Sequence, residues 1–447
     1  MTQGDPVRQI VKFMIPMLIG NVFQQLYNTV DSIVVGKYVG DNALAAVGSA
    51  GPILNLLLVL FIGISVGAGI MVSQYYGAKQ RKSLSKSIGC CITMTFLSSL
   101  IVMGIAPLII MPLLKMLNTP AEIIDWCNGY LRIVFLGIAG SAFYNILGGV
   151  LRGLGDSISA LWYLIIATIL NIVLDIYFVA GLGMGVNGVA LATVIAQGVS
   201  AVLSFLKLCR KKDCFDMKAK YLKPERKYFM ELVRLGLPSG ITQMIFSLSI
   251  VIVQSLTNSF GAMCIATNVI VMRIDGFVMM PAFSFGSAMT TFAGQNIGAG
   301  RLDRVQDGAK RGTKVAMATS AVITLLILVF GKYLMALFTN TQELIDQSYH
   351  MMLILGLGYI AMEVTQCLQG IMRGAGDTMT PMWLSMISTV VIRLPLAYLM
   401  TWMTRSPENP QGEFYMMFLS LLISWLIGSA LTFILYKKGN WKRKALI

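Results

Sequence analysis

The chain has 447 residues, 56% of them hydrophobic and 12% charged, with a mean hydropathy of +0.74. A soluble globule carries about 25% charged residues, so these values exclude a soluble enzyme or binding domain and describe a polytopic membrane protein. The net charge of +15 would suggest a nucleic-acid partner in a soluble chain; here the basic residues sit in loops and report topology instead.

Long apolar stretches predict twelve spans, roughly 10–36, 44–72, 87–113, 124–150, 158–181, 186–208, 230–257, 265–293, 311–337, 347–372, 379–403 and 414–436. The first run, Val11 to Val35, is too long for a cleavable signal and lacks a small-residue cleavage site, so it is expected to stay as a span. It carries Pro16 and a stripe of Asn21, Gln24, Asn28 and Asp31, whose spacing puts all four on one helical face. Such a stripe belongs against a bundle interior or a watery cavity, and an acid there is a functional candidate. The plainer alternative is a packing face with Asp31 at the headgroup level.

Of the 35 Lys and Arg residues, 28 fall in the tails and one set of alternate loops, five in the other set, and Arg273 and Arg393 lie within spans. Positive charge stays on the cytoplasmic side, which predicts both termini inside. The stretch 207–234 is the longest polar segment and is expected to be a solvated connector that also meets anionic lipid. The seven cysteines show no zinc or redox spacing and read as free thiols, while His350 reads as a surface residue.

Sliding the sequence by 221 residues aligns Ala45 with Ala266, Gln74 with Gln295, Gly137 with Gly358, Trp162 with Trp383, and the R-G-x-G-D run from Arg152 with that from Arg373. Pro16 and Pro238 pair with a one-residue slip. One offset over more than a hundred residues argues for an internal repeat. Six spans per half give both repeats the same orientation, with an axis along the membrane normal and the substrate path between them. The expected division is an N-lobe at 1–208, a cytoplasmic connector at 209–229 and a C-lobe at 230–447. The R-G-x-G-D runs are read as helix turns rather than nucleotide loops, since no strand precedes and no Walker lysine follows. With no ATP-binding motif, a transporter of this form draws on an ion gradient.

Within the membrane, the fifth span places Thr168, Asn171 and Asp175 on one face, and the sixth places Thr193 and Gln197 on one face. Together with Asp31 these supply only oxygen-type ligands, which suit a hard cation such as Na+, or a proton, rather than zinc or copper. The bland reading of Asn171 and Asp175 is interhelical hydrogen bonding. The second half carries Gln243, Gln254, Arg273, Asp275, Glu363 and Arg393 within spans, among many Met and Phe residues that make adaptable pockets. Arg273 and Asp275, two apart, do not face each other; Glu363 and Arg393 are candidates to pair across helices. Candidate cavity-lining residues are Gln24, Asn28, Tyr144, Gln197, Gln243, Asp275, Met279 and Glu363.

Over essentially its whole length the chain resembles the multidrug and toxic compound extrusion (MATE) transporters. The resemblance rests on the twelve spans in two repeats, the first helix with Pro16, Asp31 and its Q-Q-L-Y-N-T-V-D-S segment, the G-Q-N-x-G-A-G motif at Gly294–Gly300, and the R-G-x-G-D turns. It implies an all-α membrane protein of the V-shaped MATE fold in a bacterial cytoplasmic membrane. It also implies export of cationic or amphiphilic compounds against H+ or Na+, with no cofactor and a monomer sufficing. The chain looks nearest the DinF-like branch, whose cation-site roles fall on Asp31, Asn171, Asp175 and Thr193, and whose bending first-helix proline falls on Pro16. The NorM-like branch has an acid in the seventh helix; none lies between Leu235 and Thr257 here. The alternative is a flippase for a lipid-linked precursor. Anionic headgroups would call for several basic residues in the spans, and Arg273 and Arg393 stand against Asp31, Asp175, Asp275 and Glu363. An intramembrane enzyme is not expected, since HExxH and a second YD motif to pair with a GxGD protease pattern are both missing.

Overall fold

The structure is a computed structural model. It describes every residue except Asn118, Glu408 and Ile447, and the backbone alone of Asp41, Pro52, Leu56, Leu57 and Leu60. The described regular structure is helical. The first repeat contains α1 (Pro6–Tyr38), α2 (Asp41–Gly77) and α3 (Arg81–Met116). It continues with α4 (Ile124–Leu136 and Ile138–Gly153, bent by 53°), α5 (Ser157–Gly181) and α6 (Gly185–Arg210). The second contains α7 (Arg226–Asn258), α8 (Ala262–Gly298), α9 (Leu302–Ala336), α10 (Gln342–Gly374), α11 (Met379–Met403) and α12 (Tyr415–Lys438). Each of the twelve expected spans falls on one of these segments.

Among the described residues, nine helices are long and apolar enough to cross a membrane, and the bent pair of α4 makes ten. The remaining two long segments are α1 and α2. The polar stripe from Asn21 to Asp31 dilutes the hydropathy of α1, so length and composition alone understate it.

The chain divides into two compact units. One comprises Met1–Met14 with Ile241–Ala445, the other Ile15–Gly240 with Leu446–Ile447. Against lobes of 1–208 and 230–447, this clustering exchanges the opening turns of α1 and α7. The reason is local packing. Gly63 and Gly67 of α2 face Gly236 and Gly240 of α7, and a Cβ on Gly63 would stand 2.4 Å from the Gly240 Cα. Two small-xxx-small patches let the helix backbones touch. The Tyr75 hydroxyl adds a hydrogen bond to Glu231 Oε2 at 2.8 Å. In the other unit, Ile10 is fully buried near Gly312, and Asp5 pairs with Arg311 at 2.7 Å.

The repeat is visible at atomic scale in the two R-G-x-G-D turns. Gly155 and Gly376 adopt φ of +87° and +91°, open to glycine at little cost. Asp156 Oδ1 then accepts from the Ser159 N–H at 3.0 Å, and Asp377 Oδ1 from the Thr380 N–H at 3.2 Å. Each aspartate therefore caps the next helix. The expected solvated connector is instead docked along α3. Phe215 is buried, Arg81 pairs with Asp216 at 2.8 Å, Lys86 pairs with Glu225 at 2.6 Å, and the Thr93 hydroxyl donates to the Leu222 carbonyl at 2.5 Å. The charge run conceals these footholds because its buried residues are few. All seven cysteines are free, and His350 is exposed.

Candidate functional site

In the unit spanning Ile15–Gly240, a polar cluster is assembled from four helices. Asp31 and Tyr27 come from α1, Asn171 and Asp175 from α5, Thr193 from α6 and Tyr130 from α4. The i,i+4 spacing stacks Tyr27 under Asp31 and Asn171 under Asp175. Asn171 and Asp175 are fully buried, and Tyr27 and Tyr130 nearly so. Apolar neighbours on α4 and α5, such as Val134 and Val179, belong to the buried core beside it.

The Asp31 and Asp175 carboxylates lie within reach of one another, and the Tyr27 hydroxyl lies beside Thr193. Among the described residues, no hydrogen-bond partner meets Asp31 Oδ1, either Asp175 oxygen, either polar atom of the Asn171 amide, Thr193 Oγ1 or the Tyr27 hydroxyl. Buried polar atoms are rarely left so. Two facing carboxylates cannot both remain ionised without a counter-cation. The oxygens of this set suit a proton or a hard monovalent cation rather than a soft metal. Asp175 also opens a widened π-type turn, Ile176–Gly181, in which the Leu182 N–H reaches the Tyr177 carbonyl five residues back. Such turns recur at functional sites.

The other first-half candidates lie on the same helices as this cluster. Gln24 is half-buried and Asn28 exposed. Gln197, one turn beyond Thr193, accepts from the Ser141 hydroxyl; Tyr144 lies half-buried on the same helix as Ser141. The π-turn and the tyrosines were not anticipated. Tyr27 was findable, since it precedes Asp31 by four residues; nothing in the sequence singles out Tyr130.

The unit comprising Met1–Met14 and Ile241–Ala445 contains a chamber of about 400 Å³. Gln243, Asp275 and Met279 line it, and so does Arg393. Glu363 does not: it is buried beside Cys367, with Oε2 unpartnered. The candidate Glu363–Arg393 pair is not formed among the described residues, and Arg393 acts electrostatically on Asp275 instead. Arg273 is exposed, turned away from Asp275 as their two-residue spacing requires.

The sequence profile of the MatE family matches residues 16–177 and again 238–399, one match per repeat. The probable multidrug resistance protein YoeA of Bacillus subtilis is 30% identical over 405 residues, covering 89% of this chain and 88% of that protein. The probable multidrug resistance protein YpnP of the same organism is 30% identical, covering 100% and 98%. Among solved structures, one described as the outward-facing conformation of a multidrug resistance MATE family transporter superposes with a TM-score of 0.90. It shares 23% identity, with 98% and 96% of the chains covered. At that identity the likeness speaks for the fold.

Proposed function

The chain belongs to the MatE family, a multi-pass membrane transporter family and not an enzyme family, and from that premise we propose an antiporter that exports cationic or amphiphilic organic compounds in exchange for H+ or Na+. The single observation carrying the ion-coupled reading is the cluster of unpartnered buried oxygens at Asp31, Asp175, Asn171 and Thr193. These are the positions at which the DinF-like branch carries its cation site, and we assign the chain to that branch on this ground. The loop distribution of Lys and Arg supports both termini on the cytoplasmic side of a bacterial inner membrane. One chain holds both repeats, so a monomer suffices.

In the proposed cycle, a cation entering between Asp31 and Asp175 removes their repulsion and draws α1 toward α5. The strain falls on Pro16, which lacks the N–H that would tie α1 to its preceding turn. The boundary between the two compact units in α1 lies at Ile15, next to this proline, which supports a hinge there. Drug and ion must exclude one another for the gradient to drive export. The test is efflux of a fluorescent organic cation from proteoliposomes under a pH or a sodium gradient imposed separately. Export by the wild type, lost in Asp31→Asn at equal expression, is expected and names the ion. Undiminished export by Asp31→Asn refutes the site. No export by wild type under either gradient refutes antiport and turns the reading to a flippase for lipid-linked precursors.

A further inference from the structure

The chamber inside the Ile241–Ala445 unit is not explained by a purely cationic cargo. Its volume suits one drug-sized molecule. Phe246, Met272, Met279, Phe283 and Trp425 give it apolar walls, and Asn268 and Gln366 add amides. Its charged lining consists of one acid, Asp275 of α8, and one base, Arg393 of α11.

These two groups act on each other's charge, yet among the described residues no ion pair within 4.0 Å joins them. Asp275 Oδ1 has no hydrogen-bond partner. A carboxylate and a guanidinium free to pair would gain by doing so in a low dielectric. Held apart on two helices, with the Tyr359 hydroxyl beside Asp275, neither has an opposite charge to pair with, and leaving a buried charge unpaired is costly. Backbone geometry holds the base in place. Arg393 ends a π-wound stretch, Ile387–Arg393, that also supplies the wall residues Ser388 and Thr389. Pro395, two residues on, cannot donate to the helix and so leaves a carbonyl of that stretch unclaimed by it. The fifth helix of the other repeat carries its own π-turn at Asp175. The two repeats thus use the same device to present opposite charges.

We propose that this chamber binds zwitterionic amphiphiles, with the anionic group on Arg393, the cationic group on Asp275 and the apolar body between the Met and Phe walls. This rests on the transport reading for its meaning as a cargo site, but not for its test. A ligand carrying only a positive charge satisfies Asp275 and meets Arg393 as a like charge. A zwitterion satisfies both.

The experiment compares two probes of one shape on the full-length protein in nanodiscs, by fluorescence anisotropy and without any gradient. One is a rhodamine with a free benzoate, zwitterionic at neutral pH; the other is its methyl ester, a cation. The expected result is that wild type binds the free acid about tenfold or more tighter than the ester, the worth of one charge-assisted contact. Arg393→Gln should erase that preference by weakening the free acid alone, and Arg393→Lys should restore most of it. Equal binding of the two probes by wild type overturns the proposal, as does a preference that survives Arg393→Gln. Should that variant not fold, an undiminished preference in Ser388→Trp, which fills the chamber, overturns it equally. Preference without gradient-driven export upholds the chamber and refutes antiport. Export without preference refutes the chamber alone.

Discussion

Replacing Gly63 by alanine puts a Cβ 2.4 Å from the Cα and backbone N of Gly240, and 2.8 Å from the Gly236 carbonyl oxygen. Carbon atoms rest at about 3.5–4.0 Å, so α2 and α7 must part locally by roughly 1 Å. Neither side can yield by turning a rotamer, because every atom met is main chain. Overpacking of this kind costs about 1–3 kcal/mol, or roughly 2–4 °C of melting temperature per kcal/mol for a unit of about 200 residues. The assay is thermal unfolding of purified protein in nanodiscs, followed by tryptophan fluorescence. Gly104→Ala serves as the control: it lies within α3 with nothing within 4 Å of its added Cβ, and alanine in a helix interior gains about 0.5–1 kcal/mol over glycine. Gly63→Ala should melt well below wild type and Gly104→Ala at or above it. Equal melting of the two variants refutes the claim that backbone contact holds the start of α7 in this unit.

Pro16→Ala should slow export while leaving ion binding, read by sodium- or proton-induced fluorescence change, within about twofold of wild type; loss of ion binding contradicts the hinge role. Gly89→Ala should release the segment between α6 and α7, because its Cβ would meet the Tyr221 carbonyl oxygen at 2.0 Å. Limited proteolysis should then cut near Lys218–Lys223 several times faster, and an unchanged rate refutes that docking. The same segment should loosen in acid. The Arg81 guanidinium hydrogen-bonds Asp216 and holds its carboxyl below the ordinary 3.8. The contribution of this pair is therefore complete above that value and is lost as pH falls through the lower folded value. Proteolysis resistance that is flat from pH 6 down to pH 2, using an acid-active protease, refutes the link.

The sequence by itself determined the class of protein, the number of long helical segments and their pairing into repeats. Hydropathy and a constant offset are properties of the chain, and a bilayer leaves helices almost the only solution for such stretches. It also determined that Asp31, Asn171, Asp175 and Thr193 are oxygen-bearing side chains on definite helical faces, because the 3.6-residue period fixes a face locally. Only the tertiary structure decided that these faces converge, that Tyr27 and Tyr130 complete the cluster, and that Asp175 opens a π-turn. Which helices meet is set by packing between segments distant in the chain, which no local period encodes. The same limit explains Arg393 and Glu363. Both read as lone charges in spans, yet packing sends one to a chamber wall and buries the other beside Cys367. It explains the connector as well: a run of lysines reads as solvent-exposed, while its few contacts with α3 depend on a partner more than a hundred residues away.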